Sequence, residues 1–330
     1  MGFNYIKLTY RHLLLPPTVY TYTMVQLSPA EKSYLYDSLT QQPIIRPDLR
    51  SIHQYRPLVA KTSFLPGSNG SARVRTEDGS ECIVSVKSKV VLILEEEEEQ
   101  QQQGHNLIEV DIDIVGHRDD SNYVANLKFQ LTNLLQQNFP FEVLKLTSKY
   151  TFKLYIDCII ISHSCYPLSL ISIANYLALK TTRLPLLISD VNDEEIAELP
   201  TFSDDWENAK LIQDYHLNAN TRKGGSSTKF QPPIFITIGV IGKNLILDPS
   251  FEEEQVLENG LIISFYNNKV ITPISNTNFA VNSNNSNFKG LDQSLLIQSL
   301  TLCNKYCPNI IRALDSLIEE DNDDNDGSIF

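Results

Sequence analysis

The residues best placed to do chemistry lie in Asp157–Ser169, DCIIISHSCYPLS. An apolar strand (Tyr155–Ile161) runs through a short turn into a helix that starts near Pro167. A strand-to-helix junction is a natural anion site, because unpaired N–H groups and the helix dipole converge on it. Phosphate sites of this kind add glycines for close approach and an arginine for charge; this junction offers Tyr166, Pro167 and Leu168. The scaffold is present and its chemistry is absent. His163-Ser164-Cys165 sets a base beside two nucleophiles, but neighbours along a strand end point to different faces, so no Cys/His hydrolase is expected. Asp248-Pro249-Ser250 reads as a turn and helix cap, with Glu252–Glu254 as the acidic first turn behind it. His53, His105, His117 and His216 are scattered without metal spacing. Cys303 and Cys307 stand one helical turn apart with no C-x-x-C or His pair to complete a site. With no P-loop and no dinucleotide-binding glycine run, no metal and no cofactor is expected.

Composition bounds what must position these residues. A chain of 330 residues, 42% hydrophobic and 9% aromatic, has room for two modest domains or one large one. The net charge of -13 is concentrated in Glu95–Glu99 and in the tail Glu319–Asp326. With those eleven acids set aside, 29 remain against 27 bases, so the folded part is close to neutral. Five cysteines, an odd count without disulfide-like spacing, point to a reducing compartment and buried thiols. No run of about 18 apolar residues exists, so no membrane span is expected. The segment before Met24 carries Lys7 and Arg11 and no acids. It reads as a transit peptide or as sequence upstream of a functional start at Met24; the latter is favoured, with residues 1–26 disordered or outside the true chain.

Ser28-Pro29-Ala30-Glu31 is a capping box with proline at the first helical position, opening a helix to about Leu39. Gln42–Arg56, with prolines at 43 and 47, is expected to be extended. Strand runs follow at Ala72–Thr76, Cys82–Val91 and Leu107–Val115, with Asn69-Gly70 and Asp78-Gly79 as hairpin turns. The low-complexity run within 95–106 reads as a disordered insert. A helix over about Asn122–Gln137, the strand Tyr150–Ile161 and a helix Leu168–Leu179 complete the first unit. That last helix is apolar on nearly every side and should be buried. Residues 203–230 read as a polar linker. A second unit over 231–318 holds strands Ile234–Ile241, Leu245–Leu247, Leu261–Tyr266 and Lys269–Ile274, an Asn/Ser-rich loop Ser275–Asn287, and a helical stretch Leu291–Ile318 interrupted near Pro308. Residues 319–330 read as a disordered acidic tail. The order of elements gives an α+β class, with a first unit at 27–202 and a second at 231–318 that repeats its strands-then-helix layout.

Seven motifs, AEKSYLYDSL (Ala30–Leu39), IRPDLR (Ile45–Arg50), LPGSNGSARV (Leu65–Val74), DGSECIVSVKSKVV (Asp78–Val91), VDIDIVGHRDD (Val110–Asp120), ELPTF (Glu198–Phe202) and LDPSFEEE (Leu247–Glu254), resemble the RNase PH family in their order and spacing. Within it, the chain looks like the non-catalytic ring subunits of the eukaryotic RNA exosome. The resemblance implies an RNase PH-like subunit of two β-rich, helix-backed domains in a six-membered ring of such subunits, capped by further proteins and served by an associated catalytic nuclease. RNA would pass through its channel for 3′-to-5′ processing and decay, rRNA maturation included. It implies a nuclear and nucleolar location, with a cytoplasmic pool. Leu49 departs from the family's usual glycine, so the turn there is expected to differ.

Active relatives use inorganic phosphate to cleave RNA from its 3′ end. Two anions must meet there, so such a site needs fixed cations and N–H donors. The family's Gly-Thr-Arg-Ser-like run falls on Tyr166-Pro167-Leu168-Ser169, which puts Leu168 at the arginine and removes an N–H at Pro167. The helix over 122–137 offers only Lys128 as a second base. Asp248 and Glu254 match two family acids, one of which acts as general acid or helps hold a metal; these positions are vestigial here. The alternative is a phosphate-dependent exoribonuclease with an unconventional site built on Asp248 and Glu254. Arg73, Arg75, Lys87, Lys89 and Arg118 are the candidate RNA-path residues, which would neutralise phosphates without reading bases.

Overall fold

The structure is a computed structural model. It describes residues 26–92, 107–147, 149–188, 200–206, 209–214, 230–279 and 289–327, with side chains to 321 in the last segment. The expected N-terminal extension before residue 26 and the acidic insert at 95–106 lie outside these described residues.

Five strands form the first sheet: β1 (Leu58–Thr62), β2 (Gly70–Thr76), β3 (Glu81–Leu92), β4 (Ile108–Ile114) and β5 (Tyr150–Ser162), in the order β1-β2-β3-β5-β4. β1, β2, β3 and β5 pair antiparallel, whereas β4 and β5 run parallel. The parallel pair needs a crossover, which α2 (Asn122–Asn138) supplies on the covered face. Alternation along β4 (IEVDIDI) buries Ile108, Val110, Ile112 and Ile114 and exposes Glu109, Asp111 and Asp113. The second sheet is antiparallel, with β8 (Ile234–Ile241), β9 (Asn244–Leu247), β10 (Asn259–Tyr266) and β11 (Lys269–Thr277) in the order β11-β10-β8-β9.

Between the sheets lies α3 (Leu168–Thr181), which touches β2 and β3 of the first sheet and β8 of the second. Its burial on nearly every side is therefore as the sequence predicts. Leu168, Ile171, Leu177 and Leu179 are fully buried, each worth about 1.5–3 kcal/mol of transfer free energy. Its few polar side chains are satisfied. Ser172 Oγ accepts from the Phe235 N–H at 2.7 Å, and Tyr176 donates to Asp315 at 2.7 Å. The two sheets thus share one continuous hydrophobic core through this helix. α1 (Pro29–Thr40), with its capping box in place, belongs to the first unit by sequence but docks on the second. Tyr36 donates to Glu258 (2.6 Å), and Asn244 donates to the Leu39 carbonyl (2.8 Å).

Several expectations are corrected. Asn69-Gly70 is not a two-residue hairpin turn: Gly70 already pairs with Val86, and β1 and β2 are joined by a longer loop. Glycine is required there by close approach, because a Cβ would sit 2.3 Å from Thr182 Oγ1 and 2.7 Å from the Ala178 carbonyl. Gly70→Ala is expected to destabilise the fold by about 1–3 kcal/mol, read as a lower urea midpoint with unchanged slope. The segment 203–230 is more than a linker, since β7 (Lys210–Leu211) pairs with β6 (Arg183–Leu184) and Ile212 is buried. β11 extends through Thr277, where pairing with β10 overrides the polar composition. The final helix α5 (Gln293–Gly327) passes through Pro308 without interruption. Proline in a helix interior costs about 3 kcal/mol; the buried Cys303, Cys307, Ile311 and Leu314 on either side hold the helix against the core. α5 also carries most of the acidic tail, so Glu319–Asp326 is helical rather than disordered. Asp321 accepts the backbone N–H (2.6 Å) and hydroxyl (2.5 Å) of Thr62 on β1.

Candidate functional site

The strand-to-helix junction meets the second unit at a buried polar cluster. β5 ends at Ser162, and α3 begins behind Pro167, which caps it without a side-chain hydrogen bond. The Tyr166 N–H donates to Glu254 Oε1 at 2.9 Å, and its ring stacks on Phe279. Leu168, the first residue of α3, is fully buried. A cavity of about 20 Å³, room for one water, is lined by Tyr55, Arg56, Cys165, Tyr166, Ser169 and Asp248, among others.

The basic groups here come from elsewhere. Residues 42–56 were expected to be extended; instead they fold as a chain of turns that delivers three arginines to the second unit. Arg46, fully buried, donates from Nε and Nη2 to both Glu253 oxygens at 2.7 Å. It also bonds the carbonyls of Leu247 (3.3 Å) and Asp248 (3.0 Å). Arg50 bonds the Asp248 carboxylate and carbonyl at 3.0 Å each. Arg56 holds Asp248 through its N–H (3.0 Å), Nε (2.8 Å) and Nη2 (2.8 Å), and reaches Asp78 through Nη1 (2.7 Å). Asp248 is left-handed (φ 50), a backbone state uncommon for a non-glycine residue, held by those contacts. Leu49 is also left-handed (φ 59) and exposed, a backbone state that a glycine would take more readily.

The two acids are therefore neighbours in one cluster with opposite ionisation. Burial pushes Asp248 up, but Arg56 and Arg50 hold it below its ordinary value. Burial pushes Glu254 up to about 8, against the Tyr166 N–H and Arg56. Both are buried. The cap reading also holds nearby: Ser250 and Glu253 form a capping box on the four-residue helix α4 (Phe251–Glu254). Ser164 and Cys165 both reach Asp78, while the His163 ring lies 5.9 Å from that of His117 and its Nδ1 is buried without a partner. Burial pushes the Cys165 thiol up and keeps it protonated, and burial together with His117 lowers His163. Base and nucleophiles do not pair. Among the described residues no cluster of metal-ligating side chains occurs.

The five RNA-path candidates do not form one patch. Arg73, Arg75, Lys87 and Lys89 share the open face of the first sheet, opposite buried Ala72, Val74 and Val86. Arg73 pairs with Glu81, and Lys89 sits over the Tyr155 ring. Arg75 lies at the turn end near the junction, whereas Lys89, eight residues along β3 from Glu81, is about 26 Å away at strand rise. Arg118 is in the turn after β4, exposed and paired with Asp120. Arg46, Arg50, Arg56 and Asp78 were missed as site residues. The visible signal was three arginines in a proline-rich segment whose single acid is Asp48.

Comparison with known proteins adds the following. Residues 54–185 match the model of the 3′ exoribonuclease family (RNase PH), domain 1, and residues 231–277 match domain 2 of the same family. The chain is 43% identical over 295 residues to the exosome complex component RRP42 of Saccharomyces cerevisiae, covering 89% of this chain and 100% of that protein. It is 31% identical to the Schizosaccharomyces pombe exosome complex component rrp42, over 71% of this chain and 76% of that one. In structure it is similar to an archaeal exosome core (TM-score 0.57, 15% identity, 87% of this chain and 96% of that chain). An Archaeoglobus fulgidus exosome with RNA bound to the active site gives the same score and identity over 87% and 97%.

Proposed function

Since the chain belongs to the 3′ exoribonuclease (RNase PH) family, we propose that it is a non-catalytic subunit of an exosome ring. It takes its place among five other RNase PH-like subunits, beneath cap proteins, and supports 3′-to-5′ RNA processing and decay by an associated nuclease, rRNA maturation among its tasks. Its work is nuclear and nucleolar, with a cytoplasmic share. No helix among the described residues is long and apolar enough to cross a membrane.

One observation carries the non-catalytic reading. The junction that would hold phosphate has buried Leu168 where an arginine is needed, and Arg56, which lines the adjoining cavity, is committed to Asp248 and Asp78. A phosphorolytic site without its anion clamp loses on the order of 100-fold or more in rate for each missing donor. Asp248 and Glu254 are read as structural: one carboxylate is locked by arginines, and the other is sealed beneath Tyr166. RNA contact is assigned to the open sheet face, where Arg75, Lys87 and Lys89 make no ion pair among the described residues, in contrast to Arg73. Such contacts would weaken with salt in proportion to the phosphates neutralised.

Purified protein incubated with RNA and inorganic phosphate is expected to release no nucleoside diphosphate. Robust release that Asp248→Ala abolishes would sink the proposal. Native mass spectrometry of the tagged protein from its own cells should return a hetero-oligomer containing other RNase PH-like chains.

A further inference from the structure

The turn between β2 and β3 carries Asp78, whose carboxylate gathers donors from three separate segments. Arg56 Nη1 reaches it at 2.7 Å from the arginine-bearing segment. Thr76 Oγ1, Ser80 N (3.2 Å) and Ser80 Oγ (3.0 Å) come from its own turn. Ser164 Oγ and Cys165 Sγ (3.6 Å) come from the junction, where the Ser164 N–H also donates to Ser80 Oγ at 3.1 Å. An aspartate that only shapes its turn needs the contacts to Thr76 and Ser80. The guanidinium and the junction groups lie 22 to 87 residues away in sequence and serve no turn. A guanidinium, hydroxyls from separate segments and a backbone N–H converging on one point make the donor set that holds a tetrahedral oxyanion.

We propose that this cradle is an anion-binding site which the chain occupies with its own Asp78 carboxylate, and that withdrawing that carboxylate opens it to a small tetrahedral oxyanion such as inorganic phosphate. The site is distinct from the junction backbone blocked by Pro167 and Leu168, since its donors are the side chains of Arg56, Thr76, Ser80 and Ser164 with the Ser80 N–H. Asp78 is a quarter exposed at its side chain, so the cradle opens to solvent. The adjoining 20 Å³ cavity, also lined by Arg56, Ser80 and Cys165, adds room for an ion larger than a carboxylate. With Asp78 gone, Arg56 Nη1 loses the only carboxylate it touches among the described residues, while Nε and Nη2 stay on Asp248. The proposal does not depend on ring membership, because every group in it belongs to this chain.

The test compares wild type, Asp78→Ala and Asp78→Ala/Ser164→Ala as full-length proteins, titrated with inorganic phosphate by calorimetry and thermal shift against chloride of equal ionic strength. Asp78→Ala is expected to bind phosphate at least about tenfold more tightly than wild type, and the Ser164→Ala addition should take back a several-fold part of that gain. A folded Asp78→Ala with no phosphate-specific binding would overturn the proposal, and so would wild type binding equally well. Should Asp78→Ala not fold in plain buffer, phosphate added during refolding is expected to rescue it; failure of that rescue, and of phosphate binding by Asp78→Ser, counts equally against the proposal.

Discussion

Arg56→Ala is expected to lower the stability of the folded chain by about 3–5 kcal/mol, the usual cost of removing one partner from a buried ion pair. Arg56 is about a tenth exposed, and its guanidinium serves Asp248 and Asp78 together. Its loss leaves Asp248 buried with only Arg50 and backbone for compensation. The cost therefore arises from desolvated carboxylates more than from the lost attraction itself. Urea denaturation of wild type, Arg56→Ala, Asp248→Ala and the double variant should show strong non-additivity, the double variant being much less destabilised than the sum of the singles. A single-variant loss below about 1 kcal/mol, the range of exposed pairs, would show that the cluster does not join the two sheets. Arg56→Lys should recover only part of the loss, because an ammonium cannot reproduce the fork that spans Asp248 and Asp78.

Glu254→Gln is expected to stabilise the protein, increasingly so as pH rises. The glutamate's ordinary value is 4.5, and burial lifts it to about 8 in the folded chain. Between those values the folded state keeps a proton that the unfolded chain has released, so stability falls as pH rises from about 4.5 to about 8 and levels off above. At 1.36 kcal/mol per unit, that shift sets a ceiling on the order of 5 kcal/mol. Glutamine keeps an Oε1 to accept from the Tyr166 N–H and carries no titrating proton, so it removes this slope. Melting temperatures of wild type and Glu254→Gln measured from pH 5 to pH 9 should diverge steadily up to about pH 8, the variant melting higher. Parallel curves would mean that Glu254 is ionised in the fold, and that Arg56 outweighs its burial.

Much of the architecture is legible in local pattern. The Ser28–Glu31 capping box, the period-two alternation of Ile108–Ile114 and the all-round apolarity of Leu168–Thr181 are short-range signals whose physics is complete within a few residues. Where expectation failed, longer-range packing outweighed a local preference. Proline should break a helix, yet Pro308 sits inside one whose buried face anchors it to both sheets. Polar residues after Ile274 should form a loop, yet their backbone completes a ladder with β10. A leucine should avoid a left-handed turn, yet Leu49 takes one because Arg46 and Arg50 on either side are pinned to the second unit.

By itself, then, the amino-acid sequence determined most of the longer strands and helices, that the helix after the junction is buried, and that the junction lacks an arginine for phosphate. Each of these depends on residue type and nearby spacing alone. Tertiary structure alone decided what stands in that place. Arg46, Arg50 and Arg56 pair with acids about 200 residues away, and Asp78 draws in Ser164 and Cys165 across 86 and 87 residues. Such pairings follow from how two sheets close on one helix, and no local pattern encodes them. Hence Asp78, read from sequence as a turn residue, is the carboxylate on which Arg56, Ser164 and Cys165 converge beside the junction.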